Sequence, residues 1–278
     1  MSNEIQRIQI PDSCDHIALC GGPYSNFGAV EAFLGATESC DYRFCLGDIG
    51  GFGPLPNRTI EQLRDNGVIC LQGNYDHAVG YGERDCGCGY SDAGDRHFAQ
   101  ISYDYTYAHT DGQHRDWMRS LPRLIRLEWR DRAFLLCHGS PVQVNEFVWE
   151  SETGDAQIQA YLEQFQVDAI CGTHTGIPWL RHVDRPTHGR GFWLNVGVLG
   201  RPAHEGKPHV YYSRIDFHAD DAEPSPQLLP LVYDVASVIE VMQQEGLPQE
   251  FQQSLKQGVW TTCASVLPRA EQSIQVRI

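Results

Sequence analysis

Short apolar runs, each cut off by a glycine or a histidine and then by polar side chains, set the pattern of this chain. Residues 68–71 (Val-Ile-Cys-Leu) lead into Gly73-Asn74-Tyr75-Asp76. Residues 17–20 lead into Gly21-Gly22-Pro23-Tyr24, and 42–46 into Gly47-Asp48. In the second half, 133–137 lead into His138-Gly139-Ser140 and 168–171 into Gly172-Thr173-His174-Thr175. Apolar runs of this length between turn signals predict buried strands. Strands that release polar groups at their carboxyl ends build one shared site along one rim of a sheet.

Between these runs the period changes. Residues 26–34 place Phe27, Val30, Phe33 and Leu34 at helical spacing behind an Asn26 N-cap. Residues 57–66 predict a second helix capped by Asn57, with Ile60 and Leu63 inward and Gly67 as its stop. This β-α-β-α-β order predicts a parallel sheet. Residues 77–120 interrupt the alternation. Within them, 81–90 read as a glycine-rich loop carrying Cys86-Gly87-Cys88, and 92–118 as partly helical. The second half reads as a β-meander. It comprises a hairpin of 124–129 and 132–136, a helix over 155–165, the strand from 168, and strands over 192–196 and 209–217. An acidic, proline-bearing linker over 219–226 precedes helices expected at 234–245 and 248–256. The domain organisation expected is therefore 1–217, with an insertion over 77–120, followed by a linker and helical extension over 218–278.

Composition narrows the function. At 278 residues, 41% hydrophobic and 21% charged, the chain has the length for a full core. A net charge of −15 argues against a binder of duplex nucleic acid, which needs clustered Lys and Arg. The same charge repels an anionic substrate unless a local positive centre, such as a metal ion, outweighs it. Residues 1–9 lack a basic-then-apolar leader, and no apolar run approaches the ~20 residues of a membrane helix. Of the ten cysteines, several lie inside apolar strands, where a thiol acts as a small hydrophobe. The expectation is a cytoplasmic protein with reduced thiols.

Taken together, Gly47-Asp48, Gly73-Asn74-x-Asp76, His138-Gly139-Ser140-Pro141 and Thr173-His174-Thr175 resemble the calcineurin-like metallophosphoesterases. Asn195-Val196-Gly197-Val198 and Gly200-Arg201-Pro202 follow in the same order. The nearest pattern is that of the small bacterial branch, whose motifs run D-x-H, G-D-x-x, G-N-H-D, H-G and G-H-T-H. The resemblance implies an α/β fold, a two-sheet β-sandwich flanked by helices in four layers, with two divalent metals at the strand ends. It implies Asp48 as the bridging carboxylate, with Asn74, His138 and His174 completing the second metal site. Mn²⁺, Fe²⁺ or Zn²⁺ would suit that mixture of carboxylate, amide and imidazole. The implied activity is hydrolysis of a small phosphomonoester or nucleotide-type substrate by a metal-activated water. Tyr75 takes the position of the family's proton-donating histidine, and Asp76 reads either as orienting Tyr75 or as supporting a metal ligand from behind. Arg201 would either bind a phosphate bidentately or make an ordinary turn salt bridge.

The first metal site departs from the family. Its ligands fall on Gly22, Tyr24 and Gly176, so the catalytic set reduces to Asp48, Tyr75 and Asp76. Three readings follow: a hydrolase with one metal or a rearranged site, a first site rebuilt from Tyr24, Cys86 and Cys88, and a non-hydrolytic or repurposed metal-binding module. Thiolates from Cys86 and Cys88 would favour zinc or iron over magnesium. The partner expected is a small anionic phosphoester, with neither duplex nucleic acid nor membrane, and self-association is left open. The isolated His77, His97, His109, His182, His204 and His209 read as surface or hydrogen-bonded residues.

Overall fold

The structure, a computed structural model, describes residues 5–185, 189–217 and 223–272. Two sheets face each other. One has six strands in the order β1 (Ile5–Gln9), β5 (Leu124–Trp129), β6 (Arg132–Leu136), β7 (Ala169–Gly172), β9 (Gly189–Asn195), β8 (Trp179–Arg185). The other has five, in the order β11 (Ser225–Leu231), β10 (Val210–Asp216), β2 (His16–Cys20), β3 (Tyr42–Cys45), β4 (Ile69–Cys70).

The alternation within each strand explains the layers. In β2 and β3, Ile17, Leu19 and Phe44 point between the sheets, where Leu46 and Leu71 join them. They meet Ile125, Leu127, Phe134, Leu136, Ala169 and Leu194 of the other sheet. The opposite faces are equally apolar. Ala18, Cys20 and Cys45 pack under α1 (Phe27–Ala36) and α2 (Pro56–Asp65). On the other side Ala133, Leu135 and Ile170 pack under α6 (Asp155–Phe165) through Ile158 and Leu162. Strands covered on both faces have no solvent side and therefore read as unbroken apolar runs. Each fully buried Leu or Phe contributes roughly 1.5–3 kcal/mol.

The first half forms as expected from its periodicity: β2, β3 and β4 are parallel neighbours. Asn26 caps α1 by accepting from Ala29 N at 3.1 Å. Asn57 does not cap α2, which starts one residue earlier at Pro56 behind a left-handed Leu55. Proline is pre-set for the first helical turn and lacks the N–H that a cap would satisfy. The second half is not a meander. β6 pairs with β7, and β7 with β9, in parallel; β5–β6 and β8–β9 are antiparallel.

Residues 74–120 contain α3 (Asn74–Tyr81), α4 (Ala93–Ala108) and α5 (Gly112–Ser120). The expected loop over 81–90 is observed over 82–92, between α3 and α4. The C-terminal helices form as α7 (Val235–Gln244) and α8 (Gln249–Gln257), with a short α9 (Arg269–Gln272). Part of the expected linker, 219–222, lies outside the described residues, and its end is already strand, since β11 pairs along β10 from Ser225. Val238, Met242, Phe251, Leu255 and Cys263 sink into the same core cluster as α1 and α2. Among the described residues no helix is long and apolar enough to cross a membrane.

Candidate metal centre

The ends of β3 and β4 approach each other so closely that only glycine fits. A Cβ on Gly47 would lie 2.3 Å from Gly73 N, and one on Gly73 would lie 2.3 Å from Asp48 Oδ1. Asp76, in the first turn of α3, locks the two ends together. Its Oδ2 accepts from Asp48 N and Gly73 N at 2.8 Å each, and its Oδ1 from Ile49 N at 3.0 Å. Burial, and then the Asp48 charge, push its pKa up to about 7. Asp76 thus holds the backbone of Asp48 in place. Its bonds go to main chain, as the expectation of support behind a metal ligand allows, and none of them reaches the Tyr75 side chain.

Asp48 sits in the left-handed region at φ 57°. Its Oδ1 accepts from Tyr75 N at 2.9 Å, and its Oδ2 lies 3.2 Å from His138 Nε2. His138 follows β6, and its Nδ1 is 2.6 Å from Leu46 O. A carbonyl only accepts, so Nδ1 carries the proton and Nε2 is the ligating nitrogen of the neutral ring. That Nε2 also lies 3.2 Å from His174 Nδ1. Ligands ~2.1 Å from a shared cation stand roughly 3–3.5 Å apart in octahedral or tetrahedral geometry, so both spacings have the right length.

His174 follows β7 at φ 61°. Asn195, at the end of β9, fixes this turn. Its Nδ2 donates to Thr173 O at 3.1 Å and Thr175 Oγ1 at 2.7 Å, and its Oδ1 accepts from Gly197 N at 3.0 Å. Asn195 is a polar residue ending a strand, the same signal that singled out Asp48 and His138, yet the sequence reading gave it no role. Phe147 lies against the His174 ring, with centroids 4.5 Å apart.

Asp48, His138 and His174 are all buried, and their ligand atoms lie within 4.8 Å of one another. Burial raises the Asp48 pKa, but the two imidazoles outweigh it and hold the carboxyl below its usual value. Burial lowers His138, but Asp48 outweighs it and holds the imidazole above its usual value. Burial and the neighbouring His138 push His174 down to about 3, which leaves its ring neutral with a free lone pair. One buried acceptor beside this group lacks any hydrogen bond: Asn74 Oδ1. A buried acceptor without a donor costs about 1–3 kcal/mol, and a cation removes that cost. The donor set therefore fits a divalent metal, with Asp48, Asn74, His138 and His174 as the residues that could hold it.

The other expected site residues are placed elsewhere. Tyr75 is 1% exposed and faces α4, its hydroxyl 2.8 Å from Ser102 Oγ and 3.3 Å from Ala99 O. Burial raises that phenol well above its ordinary pKa. Tyr24 fills the space where the resemblance implies first-metal ligands: a Cβ on Gly22 would lie 2.7 Å from Val198 and 2.8 Å from Tyr24. A Cβ on Gly176 would lie 3.0 Å from the Trp260 ring. Arg201 donates to Thr262 O at 2.5 Å and stacks on Phe52 and Trp260, with no hydrogen bond or ion pair to the Asp48 group. Cys86 and Cys88 form a disulfide, which corrects the expectation of uniformly reduced thiols; the other described cysteines are free. Of the isolated histidines, His204 accepts from Trp260 N at 2.8 Å and His209 pairs with Glu205 at 2.5 Å.

No family model matches the chain. The fold is that of the metallophosphoesterases. A metallophosphoesterase from Sphaerobacter thermophilus superposes with a TM-score of 0.68, at 24% identity, over 89% of this chain and 100% of that one. A hypothetical protein from Pyrococcus horikoshii OT3 gives 0.69 at 19% identity, over 87% of this chain and 98% of its own. In sequence, an uncharacterized protein of Methanocaldococcus jannaschii is 23% identical over 247 residues, 84% of this chain and 94% of that protein.

Proposed function

We propose that the protein is a metal-dependent phosphoesterase that holds one divalent cation, Mn²⁺, Fe²⁺ or Zn²⁺, on Asp48, Asn74, His138 and His174. Its substrate in this reading is a small phosphomonoester or nucleotide-type molecule. The observation that carries the reading is the convergence of three ligating side chains with an unpartnered buried acceptor, Asn74 Oδ1. One cation is favoured over two because Tyr24, Val198 and Trp260 occupy the space beside Gly22 and Gly176. When bound, such a cation polarises a phosphoryl oxygen and makes water a stronger nucleophile. The chain's own part is positional. Asp76 fixes the Asp48 backbone, Leu46 O orients His138, and Asn195 orients the His174 turn. The cation also supplies the local positive charge that a −15 protein needs to receive an anion.

A second reading, a metal-binding module without hydrolysis, draws on the burial of every candidate ligand below 9% exposure. Elemental analysis of purified protein, together with turnover of p-nitrophenyl phosphate and a broad phosphoester panel, separates the two. Hydrolysis with one metal per chain, both lost in His138→Ala, is the expected result. A metal-loaded protein inert across the panel would leave only the module.

A further inference from the structure

The loop between α3 and α4 brings a Cys-Gly-Cys turn against Asn74. Asn74 Nδ2 donates to Cys86 O at 2.8 Å and to Cys88 Sγ at 3.4 Å, which leaves the Oδ1 of the same amide as the unpartnered acceptor described above. The Cys88 backbone lies beside the His174 ring. Cys88 therefore neighbours two of the four candidate ligands. The loop is pinned from outside by Asn145 Nδ2, which donates to Gly87 O at 2.8 Å. Both cysteines line a cavity of about 170 Å³, whose wall also carries Tyr90, Arg96 and Gln100. Among the described residues theirs is the only disulfide.

A bridge between residues two apart closes almost no loop, so it removes little entropy from the unfolded chain and adds little to folding stability. Its neighbours suggest another use. Resting on the metal reading above, we propose that Cys86 and Cys88 are a reversible redox pair that governs thiolate ligation at this centre. Reduced, Cys88 joins Asp48, His138 and His174 as a ligand and selects a thiophilic cation such as Zn²⁺. Oxidised, that sulfur is withdrawn into the disulfide. Thiolate in place of oxygen or amide shifts a site towards zinc and iron.

The chemistry balances with ordinary cellular thiols and peroxides. A small thiol enters by the cavity and attacks one sulfur, breaking the Cys86–Cys88 bond and forming a mixed disulfide. A second thiol then releases it, so two thiols supply two electrons and two protons and leave as their own disulfide. In the reverse direction, a thiolate attacks hydrogen peroxide to give a sulfenic acid and hydroxide. The second thiol then displaces water and closes the bridge.

The test compares oxidised wild type, reduced wild type, Cys88→Ser and Cys86→Ser, each stripped of metal and titrated with Co²⁺ and Zn²⁺. Reduced wild type should show a near-ultraviolet thiolate-to-cobalt band that oxidised wild type and Cys88→Ser lack. Cys86→Ser, whose Cys88 cannot be bridged to it, should show the band without prior reduction. Zinc should bind on the order of tenfold more weakly to the oxidised protein and to Cys88→Ser. Alkylation followed by mass spectrometry should modify both cysteines only after reduction. Equal zinc affinity and no band in every form, with binding still lost in His138→Ala, would overturn this proposal and leave the metal reading standing. Failure of every form to bind a cation would overturn both.

Discussion

Two faces of the same rim have been filled in opposite ways. On one, Asp48, His138 and His174 bring ligating atoms together, and Asn74 adds an amide oxygen with nothing to bond. On the other, at Gly22 and Gly176, the space is taken by Tyr24, Val198 and the Trp260 ring. The first face carries unsatisfied polarity that a cation would relieve. The second is a packed aromatic surface: Tyr24 stacks edge-on against Phe52, and Trp260 holds Arg201. Tyr24 and Val198 fill the space beside Gly22, and Trp260 of the C-terminal segment fills that beside Gly176.

The comparison breaks most readily at Tyr24. If its ring is structural filling, Tyr24→Ala leaves a cavity among glycines that cannot close it, and stability falls by about 3–5 kcal/mol in denaturant unfolding. A loss below about 1 kcal/mol would mean that the aromatic face is loosely packed. Next in size, Gly22→Asp places a carboxylate on the packed face. Its Cβ would collide with Val198 and Tyr24 at a positive φ of 32°, so about 3 kcal/mol is lost and no second metal binds. Two metals per chain in that variant, by elemental analysis, would show that the face can still accept one.

Tyr75→Phe tests the border between the two faces. The phenol's hydrogen bonds go to Ser102 and Ala99 of α4, so about 1 kcal/mol of stability should be lost. Turnover should stay close to wild type, because a true general acid is worth roughly 10²–10⁴-fold. A loss of that size would return Tyr75 to the chemistry. The smallest effect concerns pH. Burial, and then the Arg201 charge, lower the His204 pKa, and its Nδ1 accepts from Trp260 N only while the ring is neutral. The folded pKa lies below the unfolded value of about 6.5, so this contribution is complete above that value and is lost as pH falls towards the folded pKa. His204→Gln should therefore flatten the acid side of the melting-temperature profile. Parallel profiles would remove His204 from the account.

Much of the architecture could be read in advance because burial leaves a local signature. The runs around Ile17, Phe44 and Leu135, the Asn26 cap and the helix Asp155–Phe165 follow from period and capping alone. β8 and β11 escaped because each is an edge strand with mixed burial, and β11 carries two prolines. α3 escaped because Gly73-Asn74 reads as a turn, while its first helical residues are stabilised by Asp76 reaching back to Gly73 N.

For the centre itself, the sequence alone determined which polar residues close the strands, since a strand end in a parallel sheet is a local event. Only the tertiary structure decided what each side chain meets there. Asp76 bonds main chain from the end of another strand, and Tyr75 turns towards α4. Trp260, far along the chain, covers Gly176, and Cys86 bonds Cys88 beside Asn74. These are contacts between segments distant in sequence, and no periodicity within one segment specifies which distant group will arrive to fill its space.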